Sequence, residues 1–158
     1  MSKGIEYTGV KKFQISKREK PVKILFEKSF SKAVEGKVFL NLNSRSGTGE
    51  ETLKEYLDNS RNFVPIKLEK SNVYRIFNIN DIVYILEKNI LDIKVQRQID
   101  LVLSGNIKIN VGHFRNLPDP RSRLLDYLNV ENKYISFLFR GSEIHINREK
   151  ILNGADDE

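Results

Sequence analysis

Two stretches of this 158-residue chain, offset by 69 to 71 positions, set out the same order of short apolar strands around one short helix. Gly36-Lys37-Val38-Phe39-Leu40-Asn41-Leu42 aligns with Gly105-Asn106-Ile107-Lys108-Ile109-Asn110-Val111 at an offset of 69. Leu53-Lys54-Glu55-Tyr56-Leu57-Asp58 aligns with Leu124-Leu125-Asp126-Tyr127-Leu128-Asn129 at 71, and Phe63–Leu68 meets Tyr134–Phe139 at the same offset. Phe77-Asn78 then meets Ile146-Asn147, and Ile82 meets Ile151, back at 69. Matches that keep one order and change offset only across loops point to a duplication. A unit of about 50 residues is marginal alone, so two copies are expected to share a core. The expected fold is α+β, mostly β, with two tandem ββαββ units packed as a pseudo-twofold pair of small bent sheets or partly open barrels. The expected division is a basic arm (1–20), a first repeat (21–86), a connection (87–97), a second repeat (98–152) and an acidic tail (153–158) that frays.

The local signals agree with this order. Val22–Phe26 is a strand candidate, and Val38, Leu40 and Leu42 alternate with Lys37, Phe39 and Asn41, as a half-buried strand requires. Thr48 and Glu51 have capping-box spacing, so a helix is predicted to begin there and to end near Asn59. Leu53, Tyr56 and Leu57 form its apolar stripe. Val73–Leu86 reads as one strand or two, broken near Asn78–Asp81. In the second unit Asp119 can cap a helix that carries Pro120 at its first position.

Charge is unevenly placed. Residues 1–37 carry ten Lys/Arg against four Glu, while residues 38–158 carry seventeen of each sign. The net +6 therefore belongs to residues 1–37, a basic N-terminal region densest at Lys11-Lys12 and Lys17-Arg18. Such an arm serves either as a phosphate or nucleic-acid contact or as a solvated leader that keeps the chain soluble. The absence of cysteine excludes disulfides, Cys-based metal sites and thiol catalysis. The first 20 residues hold no apolar block, and no stretch approaches 18 apolar residues. A cytoplasmic protein without a membrane span is expected.

The second unit resembles an uncharacterised bacterial family of small strand-rich domains. The resemblance rests on Arg123, Asp126-Tyr127-Leu128-Asn129 and Ile146-Asn147-Arg148-Glu149-Lys150-Ile151. The first unit departs from that pattern, with Glu55 and Asp58 at the Asp and Asn positions and Asn80-Asp81 at the basic step. The resemblance implies fold and duplication and carries no activity. A second segment, Phe137-Leu138-Phe139-Arg140-Gly141-Ser142-Glu143-Ile144, is similar to the apolar–Arg-Gly–polar–Ile segment of Sm-like barrels. Those barrels bind RNA as rings through that turn, although the helix predicted at 120–129 departs from their uninterrupted strands.

Candidate contacts follow from charge and exposure. Arg45 sits in a Ser/Gly loop and Arg121 and Arg123 flank a helix start, where free N–H groups and a guanidinium could hold an anion. Capping and turning explain the same loops without a ligand. Arg140 belongs to the Arg-Gly turn. Phe39 and Tyr74, on the outward side of alternating strands, are candidates for a protein contact, whereas Phe63, Phe77, Tyr134, Phe137 and Phe139 are expected in the core. His113 and His145 have no carboxylate at metal-ligand spacing in the sequence. No acid/base pair, cofactor fingerprint or metal set stands out, so neither an enzyme nor a cofactor is expected. The reading is a protein-binding adaptor or assembly module, with RNA or DNA binding through the arm and loop arginines as its rival. An open edge strand could also pair two copies into a homodimer.

Overall fold

The structure is a computed structural model that describes residues 17–156, apart from 45, 46, 48, 61, 72, 94, 96, 114–119, 130 and 131. The first half runs β1 (Lys17–Phe26), β2 (Val34–Asn41), α1 (Leu53–Asn59), β3 (Phe63–Leu68), β4 (Tyr74–Asn78), a 3-10 turn (Ile79–Asp81) and β5 (Ile82–Ile90). The second runs β6 (Arg97–Leu103), β7 (Ile107–His113), α2 (Pro120–Leu128), β8 (Tyr134–Phe139), β9 (Ser142–Asn147), a 3-10 turn (Arg148–Lys150) and β10 (Ile151–Asp156).

All ten strands belong to one open antiparallel sheet, in the order β10-β6-β7-β8-β9-β5-β1-β2-β3-β4. The sequence reading predicts a pair of small bent sheets or partly open barrels. Instead, hydrogen bonding continues across the middle, where Tyr84, Ile85 and Leu86 of β5 pair with Ile146, His145 and Ile144 of β9. Residues 17–90 supply the order β5-β1-β2-β3-β4, and residues 97–156 supply β10-β6-β7-β8-β9. Among the described residues, the two ends of the sheet, β10 and β4, each leave one edge unpaired.

Several local expectations shift. The capping box lies four residues beyond Thr48: the Thr52 hydroxyl accepts from the Glu55 N–H at 3.1 Å, and Glu55 accepts from the Thr52 N–H at 3.0 Å. Glu51 is instead buried, accepting from the Asn41 N–H at 2.8 Å. Asp119 lies outside the described residues, but α2 does begin at Pro120. Asn153–Asp156 does not fray, because Gly154, Ala155 and Asp156 pair with Leu101, Asp100 and Ile99 of β6. The alignment of Gly36 with Gly105 also fails. Gly36 lies inside β2 opposite Leu68, where a Cβ would come 2.8 Å from the Lys67 carbonyl oxygen. Gly105 lies in the β6–β7 turn with φ +85°, a conformation that favours glycine.

Two apolar clusters fill the molecule, and each reaches across the middle. The first gathers Ile24, Leu40, Leu57, Ile66 and Ile85 from the first half, together with Tyr134 from the second. The second gathers Leu101, Val111, Phe137, Ile144 and Ile146 from the second half, together with Leu25 and Val83 from the first. Each such side chain contributes about 1.5–3 kcal/mol by leaving water. Tyr134 therefore ties β8 to the core on the far side of the junction. Tyr134→Ala is expected to cost about 3–5 kcal/mol in urea denaturation, the range for truncating a large buried aromatic. The loss should appear in one cooperative transition followed by circular dichroism. Two separate transitions would contradict an interleaved core.

Candidate functional site

The sequence-selected cations are not brought to one place among the described residues. Lys11, Lys12 and Arg45 lie outside those residues. Lys17 belongs to β1, and Arg121 and Arg123 belong to α2, with side chains outside the described set. Arg18 is engaged within the chain: its guanidinium donates to the Glu51 carbonyl at 2.7 Å and lies 3.5 Å from the Glu50 carboxylate. Arg140 is exposed at the β8–β9 turn, with its guanidinium 4.9 Å from the centre of the half-buried Phe139 ring. It borders a groove of about 610 Å³ that Tyr84, Lys108 and Phe139 also line.

Phe39 and Tyr74 do meet, their rings 4.9 Å apart on β2 and β4. Phe39 is half-buried and Tyr74 exposed. The apolar surface extends further than those two residues. Val73 and Ile76 are 60% and 69% exposed at the β4 edge, and Phe63 on neighbouring β3 is 60% exposed rather than buried. Phe63 departs from the core expectation because β4, which pairs Asn78 with it, is the last strand of the sheet. Among the described residues its ring stays 60% exposed. Leu152, on β10 at the opposite end, is likewise 60% exposed. Apolar composition alone could not separate these edge residues from core ones. The signal is topological, since only the strand order identifies β4 and β10 as ends.

At the junction the fold assembles a polar cluster that spacing does not disclose. Glu87 of β5 lies 58 residues from His145 of β9. Their side chains meet at 2.6 Å, and Ser136 Oγ lies 2.7 Å from the other ring nitrogen of His145. Lys20 of β1 places its ammonium 2.9 Å from the second Glu87 oxygen. Burial would raise the Glu87 pKa, but hydrogen bonds from His145 and Lys20 outweigh it and hold the carboxyl below its ordinary value. Glu143, Glu87 and His145 could offer three ligand atoms within 4.8 Å of one another. The Lys20 ammonium disfavours a cation there, and the existing hydrogen bonds account for the cluster as a lock on the junction. His113 is buried against Tyr127 and Phe137, at ring separations of 4.4 Å and 5.9 Å. Asp81 holds a turn, accepting from the Lys28 N–H at 2.8 Å and the Ser29 N–H at 3.1 Å. No helix among the described residues is long and apolar enough to cross a membrane.

No protein-family model, curated protein or solved structure matches the chain.

The Glu87 cluster sets a pH dependence. A carboxyl whose folded pKa is depressed stabilises the fold above its unfolded value of 4.5, and that contribution is lost as pH falls through the folded value. Glu87→Gln should cost about 1–3 kcal/mol at neutral pH, because it weakens the bonds to His145 and Lys20. It should also flatten the decline of stability below pH 4.5 relative to the parent chain, measured by urea titration across pH. An unchanged acid limb would remove Glu87 from this role.

Proposed function

We propose that the chain is a non-enzymatic assembly module, made of two copies of one five-stranded unit, that binds protein by adding strands at its open edges. The apolar edge around β4 carries this reading: Val73, Tyr74, Ile76 and Phe63 all stand exposed beside an unpaired strand. Isolated edges normally carry Lys, Pro or inward charge as protection. Here β4 reads Tyr-Arg-Ile-Phe-Asn and β10 reads Ile-Leu-Asn-Gly-Ala-Asp, with neither Lys nor Pro in either strand.

Recurring bonds support the two-copy reading. The Glu27 N–H donates to the Asp81 carbonyl at 2.7 Å, and the Ser104 N–H donates to the Lys150 carbonyl at 2.7 Å. The Ile79 N–H donates to the Asn62 carbonyl at 2.8 Å, and the Arg148 N–H donates to the Lys133 carbonyl at 2.8 Å. Asn78 and Asn147 each accept, through Oδ1, from the N–H two residues on. The ion pair Lys20–Glu87 has its counterpart in Arg97–Asp156 at 2.7 Å. Strand register sets the correspondence: Val22 faces Glu87 as Ile99 faces Asp156, and Lys37 faces Lys67 as Gly112 faces Leu138. The offset is 77 for β1, 75 for β2, 71 for β3 and 69 for β4 and β5.

An enzymatic reading has less support. The Glu87–His145–Lys20 group sits in the junction and is engaged in its own bonds. Protein binding through apolar edges should tolerate raised salt. Capture of partner protein from extracts of the source cell by immobilised chain should survive raised salt and fall at least tenfold with Ile76→Lys. Capture that is unaffected by Ile76→Lys and by Tyr74→Lys would remove the edge from this role.

One observation favours nucleic acid as a second reading. Arg140 and Lys108 are exposed beside the aromatic groove of Tyr84 and Phe139, at the turn that resembles Sm-like barrels. Binding of mixed RNA or DNA followed by fluorescence anisotropy should then weaken steeply with salt. The Arg140→Ala/Lys108→Ala variant should reduce that salt slope by about two, one for each lost phosphate contact. No binding at low salt would remove this reading.

A further inference from the structure

We infer that the protein partner at these edges is a second copy of this chain, joined head to tail, with β10 of one copy pairing with β4 of the next. This inference rests on the two-copy reading above. The internal junction pairs β5 with β9. On the offset of 69, β5 corresponds to β10 and β9 corresponds to β4. The free ends of the sheet are therefore the two halves of the same junction, facing outward.

The side chains that cross the internal junction have exposed counterparts at the ends. Val83 is buried in the second cluster, and its counterpart Leu152 is 60% exposed. Leu25 is buried beside it, and its counterpart Val102 is only half-buried. Tyr134 is buried in the first cluster, and its counterpart Phe63 is 60% exposed. Asn147 donates through Nδ2 across the junction to the Ile82 carbonyl at 3.0 Å. Its counterpart Asn78 is exposed at the edge. A second copy would cover Leu152 and Phe63 as the junction covers Val83 and Tyr134. It would also bring the Asn78 amide to the Ile151 carbonyl. The register transfers directly: Tyr84 on Ile146, Ile85 on His145 and Leu86 on Ile144 become Asn153 on Phe77, Gly154 on Ile76 and Ala155 on Arg75. Several positions change, with Gly154 and Arg75 standing where the junction has Ile85 and Ile144. Ile76 stands where the junction has His145, so an apolar contact replaces the bond to Glu87.

The contact is heterologous, because it joins unlike edges. Each added copy buries one edge and presents one fresh edge until the sheet closes on itself. A symmetric twofold dimer would instead pair β4 with β4 or β10 with β10. Sedimentation and native mass spectrometry of the full chain distinguish these arrangements. The parent chain, of 18.4 kDa per copy, should form species larger than a dimer. Phe63→Glu blocks the β4 end and Leu152→Glu blocks the β10 end, and each variant alone should be monomeric. Mixed in equal amounts, they retain one working end each and should form a one-to-one dimer and nothing larger. Both residues are exposed, so folding should be retained, checked by circular dichroism. Ile76→Lys paired with Leu152→Glu repeats the test with a different block. A parent chain that stays monomeric at all concentrations would overturn head-to-tail assembly, while leaving capture of another protein to its own experiment. Dimers formed by either single variant alone, or no heterodimer on mixing, would overturn it as well.

Discussion

The pairing of β5 with β9 is the contact on which the rest of the structure depends. Without it the chain would be two five-stranded sheets, each with a small core and two open edges. With it, each half gives part of its apolar surface to the other. Tyr134 enters the first cluster, and Leu25 and Val83 enter the second. The polar cluster of Glu87, His145, Ser136 and Lys20 satisfies the groups that this pairing buries. Small units leave too much surface exposed to be stable alone, and the junction answers that constraint.

The same constraint remains at the ends of the sheet. Pairing two units consumes one edge of each and leaves the other two. Those edges carry exposed apolar side chains and have neither Lys nor Pro to keep them apart. An assembly module is the proposed answer, and the arrangement of unlike edges makes another copy the partner that fits. Exposed Arg140 and Lys108, beside a groove on a different part of the surface, remain the features on which a nucleic-acid role would rest.

Much of the element order was legible in the sequence, because alternation of apolar residues and the two helical stripes report local periodicity. The break near Asn78–Asp81, the helix ending at Asn59 and the start of α2 at Pro120 all agree with the structure. Register was less legible. Gly36 and Gly105 look equivalent as residues, yet one is required by a neighbouring carbonyl and the other by a turn. The continuity of the sheet was not legible at all, since it depends on a contact between residues such as Glu87 and His145, far apart in the chain. Phe63 illustrates the consequence. Its strand follows from the sequence, but its exposure depends on which strand lies at the end of the sheet.

Disulfide trapping tests the central claim most directly, because the chain has no cysteine of its own. Arg75→Cys and Ala155→Cys place single thiols at positions that head-to-tail pairing sets opposite each other, within the 4.4–6.8 Å Cα separation a disulfide needs, as residues facing across antiparallel strands lie about 4.5–5.5 Å apart. Mild oxidation of the two variants mixed together should give a disulfide-linked heterodimer, identified by the peptide joining the two positions, and little product from either variant alone. Like-with-like linkage, or no linkage in the mixture, would contradict the account.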